Sequence, residues 1–173
     1  MALTDAPQQI ADAVERPFQG HADQHRPLGG YGALVGAFNL SLAAFLLAAQ
    51  RRGRLPERYP LGDLALMSAG TFKLSRLIAK DRVTSALRAP FTTFQGDAGH
   101  GEVDEAARGR GMRRAIGELL VCDYCVGQWV AAAYLAGYTV APRPTRAIAA
   151  MFTVYGAADV LQLGYSRLED SSS

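Results

Sequence analysis

Two stretches of this 173-residue chain carry no charged side chain, and they constrain the fold more than any other feature of the sequence. One runs from Tyr31 to Gln50, and the other runs from Tyr124 to Pro142. A helix rises about 1.5 Å per residue, so roughly twenty apolar residues match the hydrocarbon thickness of a bilayer. A water-soluble chain would have to bury both helices completely, which makes membrane insertion the favoured interpretation.

Two further hydrophobic segments, Leu61 to Ala79 and Ala147 to Tyr165, complete a set of four. The average composition does not reveal the class, because 49% hydrophobic residues and a mean hydropathy of +0.02 are close to globular values. The distribution along the chain decides instead. We predict an all-α integral membrane protein, a helical bundle of four hydrophobic helices whose second helix either crosses the bilayer or lies at its interface.

Polar sequence flanks and divides this hydrophobic part. Residues 1–30 are predicted to form a mobile polar tail, residues 31–166 the membrane helical domain, and residues 167–173 a disordered tail. Within the membrane domain, residues 80–116 form a polar loop, and we expect its glycine-rich part, Gln95 to Val103, to be flexible. The formal net charge of +2 excludes nucleic-acid binding driven by overall charge.

The distribution of lysine and arginine predicts the orientation of the helices, because positive residues favour the cytoplasmic side. This bias favours three crossings with the N-terminus outside, whereas segment length favours four crossings with the N-terminus inside. In both topologies the loop 80–116 is cytoplasmic. We predict a multi-pass protein of the bacterial cytoplasmic membrane.

Charged residues within the second and fourth segments form the first candidate site. Lys73, Arg76 and Lys80 follow one another at helical spacing, so they form a basic stripe on one helix face. Their long side chains can reach the lipid headgroups, which is the simplest interpretation. The alternative is an intramembrane ion pair between Arg76 and Asp159, since a carboxylate in a spanning helix needs a partner or a place near the interface.

Four arginines precede the third hydrophobic segment. They are Arg108, Arg110, Arg113 and Arg114. A basic cluster beside a membrane helix attracts anionic lipid headgroups, by about 1 kcal/mol per residue. We therefore expect the bilayer, and no nucleic acid, to be the partner of this cluster.

Cys122 and Cys125 are the two cysteines of the chain, and they lie at the predicted cytoplasmic end of the third helix. A reducing cytosol would keep them as thiols. Asp123 suits the first turn of a helix, and a thiol near a helix N-terminus ionises more easily, which permits redox chemistry. Packing of two small thiols at a helix end is the plainer interpretation, because no second cysteine pair is present to relay electrons.

The sequence was also searched for metal-binding and other catalytic motifs. His21 and His25 complete the composition of a two-cysteine, two-histidine zinc site, but they lie far from the cysteines in the chain. We predict no metal site and no cofactor, and the sequence has no phosphate-binding glycine loop or nucleophile elbow.

The favoured function is a non-enzymatic structural or partner-binding membrane component. The alternative is a membrane thiol-redox protein that uses Cys122 and Cys125. Small residues in the first segment, such as Gly32 and Gly36, allow close helix contact, which predicts an unidentified protein partner or a homo-oligomer.

An ordered set of short motifs runs from residue 71 to residue 129. It consists of Thr71-Phe72-Lys73-Leu74-Ser75-Arg76-Leu77-Ile78, Asp81, Arg88-Ala89-Pro90-Phe91, Gly117-Glu118-Leu119-Leu120, Cys122, Cys125, Gly127 and Trp129. These motifs resemble the family called domain of unknown function 1360, over about residues 64 to 165. The resemblance implies a small bacterial multi-pass membrane protein without an assigned activity, from a family partly associated with sporulating bacteria.

The resemblance also implies a structural or interaction role for the motif residues. These are Lys73, Arg76, Asp81, Arg88, Pro90, Glu118, Cys122, Cys125, Gly127 and Trp129. Lys73 departs from the arginine typical of the family and so lacks the bidentate guanidinium fork. Asp123 and Tyr124 also depart from the family, in which proline or an aromatic residue followed by tryptophan is common between the cysteines.

Overall fold

A computed structural model of the protein describes Ala13, Arg16 and residues 26–172. The chain divides into two compact units. The hairpin unit comprises Met1–Ser41 and Lys80–Cys122, and the helix unit comprises Leu42–Ala79 and Asp123–Ser173. Most of the predicted N-terminal tail, with His21 and His25, lies outside the described residues.

Helices dominate the described part of the chain, as predicted. The elements are α1 (Leu28–Arg51), α2 (Leu61–Lys80), a 3₁₀ turn (Arg82–Thr84), α3 (Ser85–Arg88), β1 (Thr92–Gly99), β2 (Glu102–Ala107), α4 (Gly111–Val121), α5 (Asp123–Val140) and α6 (Pro142–Ser172). The third hydrophobic segment was predicted from Leu119 to Pro142, and it is divided at Cys122, which has an extended backbone between α4 and α5.

The polar loop contains a β-hairpin, so the prediction of flexible sequence from Gln95 to Val103 was wrong. β1 and β2 pair antiparallel from Thr92 opposite Ala107 to Gly99 opposite Glu102. Three successive residues at the turn, of which Gly99 and Gly101 are two, have positive φ, a conformation that glycine adopts without steric cost. The glycines that suggested flexibility therefore build the turn.

Three helices of the helix unit lie side by side with their contacts in a fixed order. Asp63 near the start of α2 contacts Arg146 near the start of α6, and Lys73 further along α2 contacts Asp159 further along α6. These two helices therefore run parallel. α5 runs antiparallel to α6. Tyr138, near the C-terminus of α5, donates to the Asp63 carboxylate, which also binds Arg146 near the N-terminus of α6.

The core of the helix unit lies between these charged contacts. It consists of Met67, Val126, Val130, Tyr134, Tyr138 and Ala149. Gly70 permits the close approach, since a Cβ at this position would lie 3.1 Å from both the Ala149 carbonyl oxygen and the Tyr134 hydroxyl. The small residue thus lets three helix backbones approach one another around an aromatic side chain.

By length and composition, α1 and α6 are each apolar enough to cross a membrane, within the residues that the structure describes. A third candidate span exists if α4 and α5 together count as one broken span. α2 is not among these candidates, since it carries Asp63, Lys73 and Arg76. The structure is therefore mostly helical with two or three candidate spans and a small sheet, and a bundle of four spanning helices is not confirmed.

The ends of α6 differ from the sequence prediction. The helix begins at Pro142, before the predicted segment Ala147 to Tyr165, because proline is well accommodated in the first helical turn, whose N–H groups have no intrahelical acceptors. It continues to Ser172 and so includes most of the predicted C-terminal tail.

Candidate functional site

Arg88 of the hairpin unit is fully buried, and its guanidinium is surrounded by hydrogen-bond acceptors. Its Nε and Nη2 donate to the two carboxylate oxygens of Glu105 at 3.0 and 3.1 Å. Nη1 donates to the Thr84 hydroxyl at 2.6 Å, and Nη2 also donates to the Asp81 carbonyl oxygen at 3.1 Å. A planar guanidinium fits this bidentate arrangement, which a lysine could not reproduce.

Glu105, on β2, accepts further hydrogen bonds from α3 and β1. The Ser85 and Thr92 hydroxyls donate to its two oxygens at 2.5 and 2.6 Å. Burial alone would raise the pKa of Glu105, but the hydrogen bonds from Arg88, Ser85 and Thr92 outweigh it and hold the pKa below its ordinary value of 4.5. The ion pair thus joins α3 to both strands of the hairpin.

The predicted motif residues Asp81 and Pro90 act through their backbones. The Asp81 carbonyl oxygen is one acceptor of Arg88, and the Pro90 carbonyl oxygen accepts two hydrogen bonds from Arg113, at 2.9 and 2.7 Å. Arg108 donates to the same carbonyl at 3.4 Å. Two arginines of the predicted headgroup cluster are therefore held at the corner that follows α3.

Glu118 connects α4 to α1 within the hairpin unit. Arg114 donates to one of its oxygens at 2.9 Å, and the Tyr31 hydroxyl donates to the other. Close packing supports this contact, because a Cβ at Gly30 would lie only 2.7 Å from the Ala115 side chain. The motif glutamate thus fixes the start of the first hydrophobic helix to α4.

One end of the helix unit contains an acid–base cluster that the sequence analysis missed. Arg146 binds the Asp63 carboxylate with Nε and Nη2 at 2.8 and 2.5 Å, and the Tyr138 hydroxyl donates to the same carboxylate at 2.6 Å. Each residue lies near the end of a hydrophobic segment, and opposite charges at such ends are the signal that could have revealed the pair. The cluster joins α2, α5 and α6.

A second ion pair lies further along α2 and α6. The Lys73 ammonium is 2.5 Å from the Asp159 carboxylate and 3.9 Å from the centre of the Tyr155 ring. The Lys73 side chain is only 5% exposed. We predicted Arg76 as the partner of Asp159; Lys73 takes that place because it faces Gly156, one turn before Asp159, with little intervening space.

The remaining motif residues of this unit lie where α2 meets the start of α5. Arg76 Nη1 is 3.9 Å from the Asp123 carboxylate, a loose contact between partly exposed groups. A Cβ at Gly127 would lie 3.8 Å from the Ser75 hydroxyl oxygen, which is ordinary van der Waals distance. Trp129, two residues later, is partly buried.

Cys122 and Cys125 are both disulfide-bonded, which differs from the thiols expected for a reducing compartment. Asp123 occupies the first turn of α5, as predicted. Cys122 itself precedes the helix and so does not share a helical face with Cys125. In the described part of the chain, no group of three or more histidine, cysteine or acidic side chains is placed to hold a metal ion.

Comparisons with known proteins agree with this distribution of motifs. The family model described as "Protein of unknown function (DUF1360)" matches residues 66–165. The chain belongs to the DUF1360 family. The match begins within α2 and ends within α6, so it contains the hairpin, the Arg88–Glu105 and Lys73–Asp159 pairs and the cysteines, whereas α1 and Asp63 precede it.

A curated relative is described as a sporulation protein. The chain is 30% identical over 102 residues to the sporulation protein YjcA of Bacillus subtilis (strain 168), and the match covers 57% of this chain and 86% of that protein. No solved structure matches the chain. The DUF1360 family has no assigned activity, so the geometry of the residues must carry any functional argument.

Proposed function

We propose that this DUF1360 protein is a multi-pass component of the bacterial cytoplasmic membrane with a structural or partner-binding role and no catalytic activity. The proposal rests on the way in which the protein uses its buried charges. Arg88 and Lys73 each bind a carboxylate on another element. Charges used in this way hold elements together and are not presented to a substrate.

The order of contacts in the helix unit supports four crossings. α2 lies parallel to α6, a candidate span, and contacts it from Asp63 to Lys73. Ten residues of helix correspond to about 15 Å, half of the hydrocarbon thickness. In the four-crossing topology the second and fourth helices run in the same direction, and the third runs in the opposite direction, as α2, α6 and α5 do.

The charges of α2 are compatible with a crossing because they are paired. Asp63 is neutralised by Arg146, and Lys73 is neutralised by Asp159. An isolated charge at the centre of a bilayer costs about 3 kcal/mol or more, whereas a charge that faces a partner in the protein interior is tolerated. The Lys73–Asp159 pair would then lie within the membrane.

Similarity to a sporulation protein suggests the cellular process. We propose that the chain works with a protein partner, or with further copies of itself, in a membrane-associated step related to sporulation. Anionic headgroups remain the proposed lipid partners of the basic residues around Arg108 and Arg110. The disulfide-bonded cysteines give no support to a redox activity.

Membrane extraction and topology mapping test the proposal. We expect detergent, and neither high salt nor alkaline carbonate, to release the full-length protein from membranes. Reporter fusions after Arg58 and after Arg143 should lie outside the cytoplasm, and a fusion at the hairpin turn should lie inside. Release by salt alone would contradict the membrane assignment, and a cytoplasmic reporter after Arg58 would contradict four crossings.

A pull-down in detergent tests the partner-binding role. We expect the intact chain to retain a defined protein or additional copies of itself after stringent washing. A variant in which both cysteines are replaced by serine should retain the same partner, since the proposal does not use their chemistry. The non-enzymatic role would be contradicted if this variant inserted into the membrane like the native protein but failed to rescue the phenotype of a deletion strain.

A further inference from the structure

The 3₁₀ turn and α3 together form a short helical segment whose polar face is buried and whose apolar face is exposed. Its polar face, with Thr84 and Arg88, points into the hairpin unit and is buried. Its apolar face points outward, where Val83 and Leu87 are 82% and 73% exposed. A surface segment of a water-soluble domain has the opposite arrangement.

The outward face is a continuous apolar stripe. Val83, Ala86, Leu87 and Pro90 occupy positions i, i+3, i+4 and i+7, and all four are exposed. This spacing normally identifies the face of a helix that packs against a core. The buried Arg88–Glu105 pair fixes the orientation, because rotating the stripe inward would bring a paired guanidinium out of its site.

The charges of the hairpin unit indicate what covers this stripe. Arg108 and Arg113 both donate to the Pro90 carbonyl, so two guanidinium groups are held at one end of the stripe. At the other end of the stripe, the exposed Arg82 is ion-paired with Asp97 of β1 at 2.9 Å, and its backbone N–H donates to the Gly101 carbonyl oxygen at the hairpin turn.

We infer that the apolar stripe inserts into an anionic phospholipid leaflet, with Arg108 and Arg113 at the headgroups. Apolar side chains flanked by basic ones are the pattern of a segment that lies in the membrane interface. The inference rests on the proposed function and adds to it a lipid contact through Val83 and Leu87, apart from the spanning helices.

Site-specific fluorescence tests this contact in the full-length chain. Single cysteines at positions 83, 87 and 98 are introduced by V83C, L87C and A98C into a C122S/C125S background and labelled with an environment-sensitive dye. The protein is reconstituted in vesicles of phosphatidylcholine with phosphatidylglycerol, or of phosphatidylcholine alone. Ala98 is the matched control because it is exposed on β1 and lies outside the stripe.

We expect lipid-borne nitroxides to quench the dye at positions 83 and 87 several-fold more than at position 98, and aqueous iodide to give the reverse order. Lipid quenching should weaken in vesicles without phosphatidylglycerol. Equal iodide quenching at all three positions would overturn the inference. Protection from both quenchers would also overturn it, because a protein would then cover the stripe.

A second experiment keeps the native cysteines. A photoreactive benzoylphenylalanine in place of Leu87 should cross-link to phospholipid, and the same group in place of Ala98 should not. Cross-linking to protein at position 87 would overturn the inference. Extraction separates the two proposals: release without detergent would refute the membrane assignment itself, whereas a detergent-requiring protein with a water-accessible position 87 would refute only the interfacial stripe.

Discussion

Each of the two units is held together by a buried cation and carboxylate, but the two pairs are built differently. In the hairpin unit, Arg88 and Glu105 are both almost fully buried, and their remaining hydrogen-bonding groups are satisfied by hydroxyl and carbonyl groups. In the helix unit, Lys73 is buried against Asp159, which is 34% exposed, and against the ring of Tyr155.

The difference in geometry gives the two ion pairs different structural roles. Bidentate geometry fixes the direction and distance of both partners, so the Arg88–Glu105 pair determines how α3 sits on the hairpin. A lysine ammonium is a compact charge without a preferred plane. The Lys73–Asp159 pair therefore neutralises charge between two helices and imposes less geometry.

Removing the guanidinium of Arg88 should have the largest effect. R88L leaves Glu105 buried without its cation, and we expect it to lower the free energy of unfolding by about 3–5 kcal/mol. Chemical unfolding in detergent micelles measures the change. R82L removes an exposed arginine paired with Asp97 and should cost less than about 1 kcal/mol. Equal effects of the two substitutions would contradict the special role of the buried pair.

Breaking the pair in the helix unit should cost less. K73L removes a compact ammonium, whereas R88L removes a guanidinium with several hydrogen bonds, so we expect K73L to lower the free energy of unfolding by about 2–3 kcal/mol, below the range for fully buried pairs. The double variant K73L/D159L should recover most of this loss, since neither charge remains. K73R should be close to the native protein. A double variant less stable than K73L would show that the pair contributes more than neutralisation.

Adding one methyl group distinguishes the packing of the two units. A Cβ at Gly117 would lie 2.4 Å from the Phe91 carbonyl oxygen and 2.9 Å from the Ala107 Cβ, so G117A should cost about 1–3 kcal/mol. A Cβ at Gly127 would make only ordinary contacts. G127A should therefore be neutral or stabilising in the same unfolding measurement, and a larger loss for it would refute the comparison.

Acid should weaken the hairpin unit. The pKa of Glu105 is lowered in the folded protein, so its contribution to stability is present above its ordinary pKa of 4.5 and is lost as the pH falls through the lower folded value. Hydrogen exchange of the β1 and β2 amides should accelerate in that acidic range. E105Q should abolish this pH dependence. If exchange in E105Q still accelerated in acid, another carboxylate would be responsible.

Several parts of the structure follow from sequence pattern. The apolar runs predicted α1 and α5, and the basic and acidic residues identified which segments carry internal charge. The family resemblance was confirmed by the family match over residues 66–165. The hairpin was missed because its strands contain glycine and alternate poorly, and because Glu105 gains its role only from the contact with Arg88.

The amino-acid sequence alone establishes that this protein has long apolar helices separated by a polar segment, because the length of an uncharged run is a local property. The folded structure is needed to show that Asp159 is bound by Lys73 and not by Arg76, that Asp63 binds Arg146, and that the polar segment folds as a hairpin. These pairings join residues far apart in the chain. Which of several charges meets a given partner depends on helix rotation and on small residues such as Gly156, and charge spacing alone does not specify either.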